Sequence, residues 1–502
     1  MNITELQADK ARAYLLKSLC YFDVPLPLYY EFGGMLQKIS KYLIANPTCD
    51  VLKNLSDKPS SKDLNHTIVM NKDGKYAWRP KTLVNPILYT VLAHTITEEV
   101  NWEKIVLRFR QFANCQIVKC CSVPRYEGGK RPAAVAIRNW LNDVEGESIR
   151  LSLRFNYLHH TDIADCYPSI YSHSISWAIE GIAIRGTEKE NDKTLLGNRV
   201  DYIVRTIMDR KSNGIPQGSV WFDTIAELIL GYLDQLIEDR LMSSNITHNS
   251  CRILRYRDDY RIFTVDISVG EHVLRVLTEV LLSFGLKLNS AKTLASDNVV
   301  ACSVKPDKIA YYKMNLNLHD LFIMSLVLHD FALRWPNSKQ TIKGLRQLHQ
   351  RIKTSSVSVT SELKPILAIV IDIAKSSPIV YQEAFLVVSL INSMLPKIEF
   401  SSAISDIEKS CDRYPHNHHM MIWLKRVVLD VSTSTLFSDI PLCNAIADKS
   451  LMIWESSFVG KKHAQLSSLL KPHNYINHDV YKQCTTQIGI VEVNIFDALH
   501  SL

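Results

Sequence analysis

Two adjacent carboxylates set in an apolar and aromatic stretch constrain this chain more than any other feature. Residues 255–263 read Arg-Tyr-Arg-Asp-Asp-Tyr-Arg-Ile-Phe. The runs 251–256 and 260–265 are rich in β-branched and aromatic residues and predict two strands, with Asp258 and Asp259 at the tip of a hairpin. Holding two like charges side by side is unfavourable unless something positive neutralises them, and a divalent cation is the usual answer. Alone, an Asp pair in a turn needs no such explanation, because aspartate favours turns through local hydrogen bonds. Three further segments change that balance.

Upstream stands Thr161-Asp162-Ile163-Ala164-Asp165-Cys166-Tyr167-Pro168-Ser169-Ile170, where an Asp closes a strand-like run over 155–161 and an aromatic follows five residues later. Between the two motifs lies Asn213-Gly214-Ile215-Pro216-Gln217-Gly218-Ser219, a Gly/Pro turn leading into a helical pattern over 225–241. Beyond the hairpin comes Phe284-Gly285-Leu286-Lys287-Leu288-Asn289-Ser290-Ala291-Lys292-Thr293. In order and spacing these four blocks resemble motifs A, B, C and D of the reverse-transcriptase palm, over about residues 75–300.

The resemblance implies nucleotidyl transfer from deoxynucleoside triphosphates to a primer hydroxyl, assisted by two Mg²⁺ ions about 4 Å apart, with Mn²⁺ as a substitute. Mg²⁺ binds through a few carboxylates plus substrate phosphates, so acids from separate strands must converge. By resemblance Asp162, Asp258 and Asp259 are the metal ligands, joined by the backbone carbonyl of Ile163, and Asp165 is a surface carboxylate. Tyr167 matches the aromatic steric gate that clashes with a 2′-hydroxyl. Gln217 and Gly218 match the motif B turn, where glycine lets the backbone approach the nucleotide. Lys292 matches the motif D lysine that protonates or neutralises the departing pyrophosphate. For gripping the triphosphate, Arg79 in Trp78-Arg79-Pro80-Lys81 is the preferred residue. Val123-Pro124-Arg125 with Gly128-Gly129-Lys130-Arg131 is the rival.

Three positions depart from the family pattern. The second residue of the Tyr-x-Asp-Asp motif is Arg257, where most relatives carry a small or apolar side chain. Motif B continues as Ser219-Val220-Trp221-Phe222-Asp223, placing two aromatics where a template would pass. Glu227 stands where retroviral and intron-type enzymes have Asn. The Ala226-Glu227 ending resembles the abortive-infection, defence-associated branch of bacterial reverse transcriptases. That resemblance implies anti-phage defence, a homo-oligomer, and DNA synthesis without a template or on a dedicated non-coding RNA. The rivals are a general RNA-templated enzyme of a mobile element and a non-catalytic scaffold that keeps the fold.

From about residue 318 helical periodicity takes over, with expected helices at 320–335, 339–353, 362–375, 378–395, 403–411 and 418–431. Ser377-Pro378 reads as a helix start. Helical pairs of this length resemble the HEAT-like α-repeats attached to abortive-infection reverse transcriptases. Such a solenoid offers an extended surface for protein, RNA or product DNA. The expected division is therefore an N-terminal helical region (1–74), α/β fingers and a ferredoxin-like palm (75–317), and an all-α repeat domain (318–502). Cys411, His416, His418 and His419 match no strong zinc-finger spacing, and the histidines read as surface residues ahead of a helix. Tyr475 and Tyr481, taken as lying in a polar tail, are candidate protein primers, since some relatives start DNA on a side chain.

Composition sets looser bounds. At 502 residues there is room for two or three domains, and a net charge of +7 suits a nucleic-acid partner. Eleven cysteines in no disulfide-like pattern imply a reducing, cytoplasmic setting. Residues 1–20 read as a soluble amphipathic helix with Thr4 and Gln7 as a capping box, without a signal peptide, and no stretch reaches the length of a membrane span.

Overall fold

The computed structural model describes residues 1–47, 51–52, 64–71, 78–127, 135, 139–316, 318–355, 360–412, 416–429 and 440–493. Among the described residues seven strands form two sheets. β1 (His66–Asn71) and β2 (Trp78–Leu83) make an antiparallel ribbon. The second sheet contains β3 (Val118–Cys120), β4 (Tyr157–Asp162), β5 (Cys251–Tyr256), β6 (Asp259–Thr264) and β7 (Leu294–Ser296), in the order β3-β5-β6-β4-β7. Only β3 and β5 run parallel. The β5–β6 hairpin closes through a two-residue turn, Arg257-Asp258, as Tyr256 pairs with Asp259.

Period-two alternation gives this sheet two covered faces. Cys251, Ile253, Tyr260 and Ile262 join the main core, which includes the helices Val220–Ser243 and Ile267–Ser283. Leu254, Phe263 and Leu158 point the other way, into a smaller cluster with Val144, Leu151 and Val299. Helix Val220–Ser243 is buried nearly all round, which its sequence announces by carrying apolar residues on every side.

The region after the palm is α-helical: Leu321–Arg334, Lys339–Thr354, Thr360–Ser376, Tyr381–Met394, Lys397–Asp412 and His418–Val427. The first packs on the second and third, and the second and third pack on the fourth. Asp320 and Ser338 cap two of these helices, accepting from Ile323 N (3.0 Å) and Gln340 N (3.1 Å). Ser377 behaves differently from its expected capping role. It precedes a short 3₁₀ turn, Pro378–Val380, and its hydroxyl accepts from Asn337 N at 3.1 Å.

Two expectations are corrected at the ends of the chain. The N-terminus is not one helix but a 3₁₀ turn (Ile3–Glu5) followed by Ala8–Leu15 and Ser18–Tyr21, and Gln7 makes no capping bond. Ile3 N instead donates to Pro124 O at 2.8 Å, so the first residues are recruited to the strand-end loop. Nor is the region around Tyr475 a polar tail. Residues 440–493 fold back over the N-terminal part: Trp454 donates to Leu83 O (3.0 Å), Asn85 to Glu455 O (2.8 Å) and Glu31 N to Tyr475 O (2.8 Å). Among the described residues every cysteine is free, and no helix is long and apolar enough to cross a membrane.

Candidate active site

The two acidic motifs meet because β4 and β6 are neighbours, with Asp162 directly opposite Asp259. Ile163 N donates to the Asp258 carbonyl at 3.0 Å, which ties the end of β4 to the hairpin tip. Asp162 is 7% exposed, and its Oδ1 is buried without a hydrogen-bond partner. Its Oδ2 accepts from Lys292 Nζ, so the motif D lysine reaches the motif A carboxylate. Burial in the cleft opposes the Lys292 charge, but the bond to Asp162 and the neighbouring acids outweigh it and hold the ammonium above its ordinary range.

The hairpin acids are strained electrostatically. Burial, then the charge of Asp162, push the Asp258 carboxyl up, while Arg257 and Arg79 pull it down. Asp259 is exposed at the start of β6, yet partial desolvation beside the other acids, then the charge of Asp258, push its carboxyl up, with Lys305 and Lys292 opposing. An orphaned carboxylate oxygen and two acids that resist ionising together fit a bound cation. Among the described residues no three Asp, Glu, His or Cys side chains form a complete ligand set.

The other candidates surround this cleft. Arg79 on β2 faces the acids closely enough to act on Asp258. Its rival Arg125 is committed to Asp143 (2.6 Å) and Asn139 (2.9 Å), and Gly128 to Arg131 lie outside the described residues. Gly218 adopts φ +132°, which side-chain-bearing residues avoid, and its carbonyl accepts from Asp23 N at 2.7 Å. Gln217 O accepts from Thr82 N at 2.8 Å, joining the motif B turn to β2. Asp165 is exposed in the left-handed region (φ 43°). Tyr167 is buried, and its hydroxyl donates to Asp223 Oδ1 at 2.5 Å.

Tyr475 and Tyr481 are not brought to the cleft by any contact seen here. Tyr475 is 1% exposed, stacked on Phe32 at 5.7 Å, and packed on Trp454, so its hydroxyl is not presented for priming. Tyr481 lies edge-on to Tyr29 at 5.2 Å.

The three departures from the family pattern are accounted for internally. Trp221 and Phe222 are at most 1% exposed and belong to the core, not to a template path. Arg257, at the hairpin apex with φ 56°, donates to Asp223 Oδ2 at 2.6 Å. Glu227 pairs with Arg255 at 2.8 Å, and Arg255 also bonds both oxygens of Asp234 (2.7 and 2.9 Å) while 0% exposed. Asp223, Glu227, Asp234 and Glu238 thus form an acidic stripe at helical spacing, the first three facing Arg257 in the hairpin turn and Arg255 on β5. Glu238 completes it by accepting from Gln116, Ile117 and Val118 N. Burial pushes Asp234 up to about 6 despite Arg255, whereas for Glu227 burial is outweighed by Arg255 and its carboxyl stays low.

Sequence reading gave Asp223 no role, although the spacing 223, 227, 234, 238 was a usable signal. It also missed Lys305, which lies 4.5 Å over the Trp140 ring, and Lys339. Lys339 is exposed at the start of helix Lys339–Thr354 and feels Lys305 and Arg257 as neighbouring like charges. Nothing local could reveal Lys339, since it arrives on a helix from the C-terminal region.

A sheet that brings one acid from β4 against two from a neighbouring hairpin, fronted by a basic ribbon, is the palm and fingers of a right-hand polymerase. Residues 70–312 match the family model described as reverse transcriptase (RNA-dependent DNA polymerase), and this segment is a reverse-transcriptase domain. Similar solved structures include apo telomerase from Candida tropicalis, at 12% identity and TM-score 0.34, covering 82% of this chain and 70% of that one. Telomerase from Candida albicans in complex with a telomeric RNA fragment is 10% identical with a TM-score of 0.30, covering 73% and 68%. At these values the assignment rests on the domain match and the topology alone. No curated protein matches.

Proposed function

We propose that this protein is a divalent-cation-dependent DNA polymerase that extends a primer with deoxynucleotides and serves bacterial anti-phage defence. The observation that carries the catalytic reading is the Asp162 carboxylate, with one buried oxygen unpartnered and the other on Lys292, opposite Asp258-Asp259. Asp162 and Asp258, with Asp259 and the Ile163 carbonyl beside them, are the groups to hold two Mg²⁺ ions. Bound there, such ions stabilise charge on the attacking and leaving oxygens. Lys292 supplies a proton or positive charge to the leaving pyrophosphate, Arg79 receives the triphosphate, and Tyr167 walls the sugar. Gly218 lets the motif B backbone approach the nucleotide.

The defence setting, the homo-oligomer and the companion RNA rest on the resemblance of the motif B ending to the defence-associated branch. Because Arg257, Trp221, Phe222 and Glu227 are used inside the protein, they lend no support to unusual template handling. A dedicated RNA template is therefore the favoured version, and untemplated synthesis is the other arm of the test.

Purified protein is incubated with Mg²⁺ and each labelled deoxynucleotide, with and without prior nuclease treatment. DNA that disappears after RNA removal identifies a templated enzyme, and DNA that persists identifies an untemplated one. Asp258→Ala with Asp259→Ala is expected to lower synthesis on the order of 10³-fold, several kcal/mol of lost charge stabilisation. Chelation is expected to do the same. Defence that survives the double substitution, with no DNA made, would leave a scaffold as the better description.

A further inference from the structure

Asp223 has a partner on each oxygen. Oδ1 accepts from the Tyr167 hydroxyl at 2.5 Å, and Oδ2 accepts from Arg257 Nη2 at 2.6 Å. The residue is 8% exposed and Tyr167 is 7% exposed, so water competes little for the tyrosine bond, while the Arg257 side chain is 36% exposed. Arg257 immediately precedes Asp258, and its backbone is held by Ser122 Oγ (2.7 Å) and Arg255 Nη1 (3.1 Å). Three segments are thereby joined at one carboxylate: the turn after β4, the first turn of helix Val220–Ser243, and the hairpin apex.

A buried tyrosine whose hydroxyl is anchored by a charge-assisted bond loses the freedom to swing its ring. A buried carboxylate holding that bond needs a counter-charge, and the arginine supplies it. The Arg in the hairpin turn is not explained by its own element. Arg257 occupies a left-handed position that side-chain-bearing residues take only at a cost.

We propose that Asp223, charge-balanced by Arg257, is a positioning residue that fixes the Tyr167 ring against the nucleotide sugar and thereby sets the preference for deoxy- over ribonucleotides. This rests on the reading of Tyr167 as the residue walling the sugar.

The test compares the wild-type chain with Asp223→Asn, Tyr167→Phe, their double variant, Arg257→Lys and Arg257→Ala. Two ratios are read for each. One is kcat/KM for a deoxynucleotide over its ribonucleotide counterpart. The other is the affinity ratio for the matching non-reacting α,β-imido nucleotides. Asp223→Asn and Tyr167→Phe are each expected to lower both ratios about tenfold, the scale of one lost charge-assisted bond. The double variant is expected to match the worse single one, because both remove the same bond. Arg257→Lys should keep most of the preference that Arg257→Ala loses. Rates for both sugars falling together at an unchanged ratio would overturn the proposal, as would effects that multiply in the double variant. Should the wild-type chain make no DNA, the polymerase reading fails and the affinity ratio decides alone. A ratio that collapses in Asp223→Asn upholds the gate, and one that does not move overturns it.

Discussion

Arg255 shows how a residue can be fixed by partners far away in sequence. It is wholly buried on a central strand, and its charge is tolerated because Glu227 and Asp234 come from the helix beneath. Truncating one member of such a cluster leaves uncompensated buried charge, which is far costlier than exchanging the whole cluster for apolar side chains. Arg255→Met is therefore expected to cost about 3–5 kcal/mol, read as a lower urea midpoint at unchanged slope. Arg255→Met combined with Glu227→Leu and Asp234→Leu should recover most of that loss. A triple variant less stable than the single one would show that the cluster is itself a net source of stability. The acids of the hairpin were legible in sequence because their pattern is short and local. The arginines beside them were legible only as charges, since their function lies in the helix they meet.

At the scale of elements, helix His418–Val427 is anchored to the N-terminal segment through one carbonyl. His419 Nε2 donates to Pro25 O at 2.7 Å and Trp423 Nε1 donates to the same oxygen at 3.1 Å. His419 is 2% exposed, its Nδ1 has no partner, and burial pushes its pKa down to about 4. The folded state thus resists the proton that the unfolded chain accepts near pH 6.5. Stability from the neutral ring is complete above that pH, falls as pH drops toward 4, and levels off below. The loss is about 3 kcal/mol at 1.36 kcal/mol per unit. His419→Gln, which retains a donor, should flatten this part of a stability–pH curve, and an unchanged slope would remove His419 from the account. Helix positions here were readable from periodicity, as in the expected 339–353 against the observed Lys339–Thr354. The histidines' role was not, because a carbonyl near residue 25 is invisible from residue 419.

The whole molecule closes on itself. Its main core runs without a break from Ile3 through the palm and the helical region to Val493. Trp454, 2% exposed, lies against Phe32 and Tyr475 and donates to the end of β2. Trp454→Ala is expected to cost about 3–5 kcal/mol and to appear as a lower unfolding temperature. Because β2 carries Arg79, synthesis should fall as well while Asp162 and Asp258 remain in place. The proposed boundaries at 74/75 and 317/318 meet their test in the same experiment. A single cooperative transition would make them divisions of sequence only, and separate transitions would make them folding units.

Sequence alone determined the palm's parts: a hairpin bearing two acids, an Asp at the end of another strand, a glycine turn, and a helical second half. Each is set by spacing within one element, where period two, period 3.6 and turn chemistry act over a few residues. Tertiary structure alone decided what the unusual residues do. It paired Arg257 with Asp223 and Arg255 with Glu227, buried Trp221 and Phe222, and enclosed Tyr475 behind Phe32. A charge or an aromatic ring has no fixed role until a partner and an exposure are assigned to it. Those are supplied by contacts between residues tens to hundreds of positions apart.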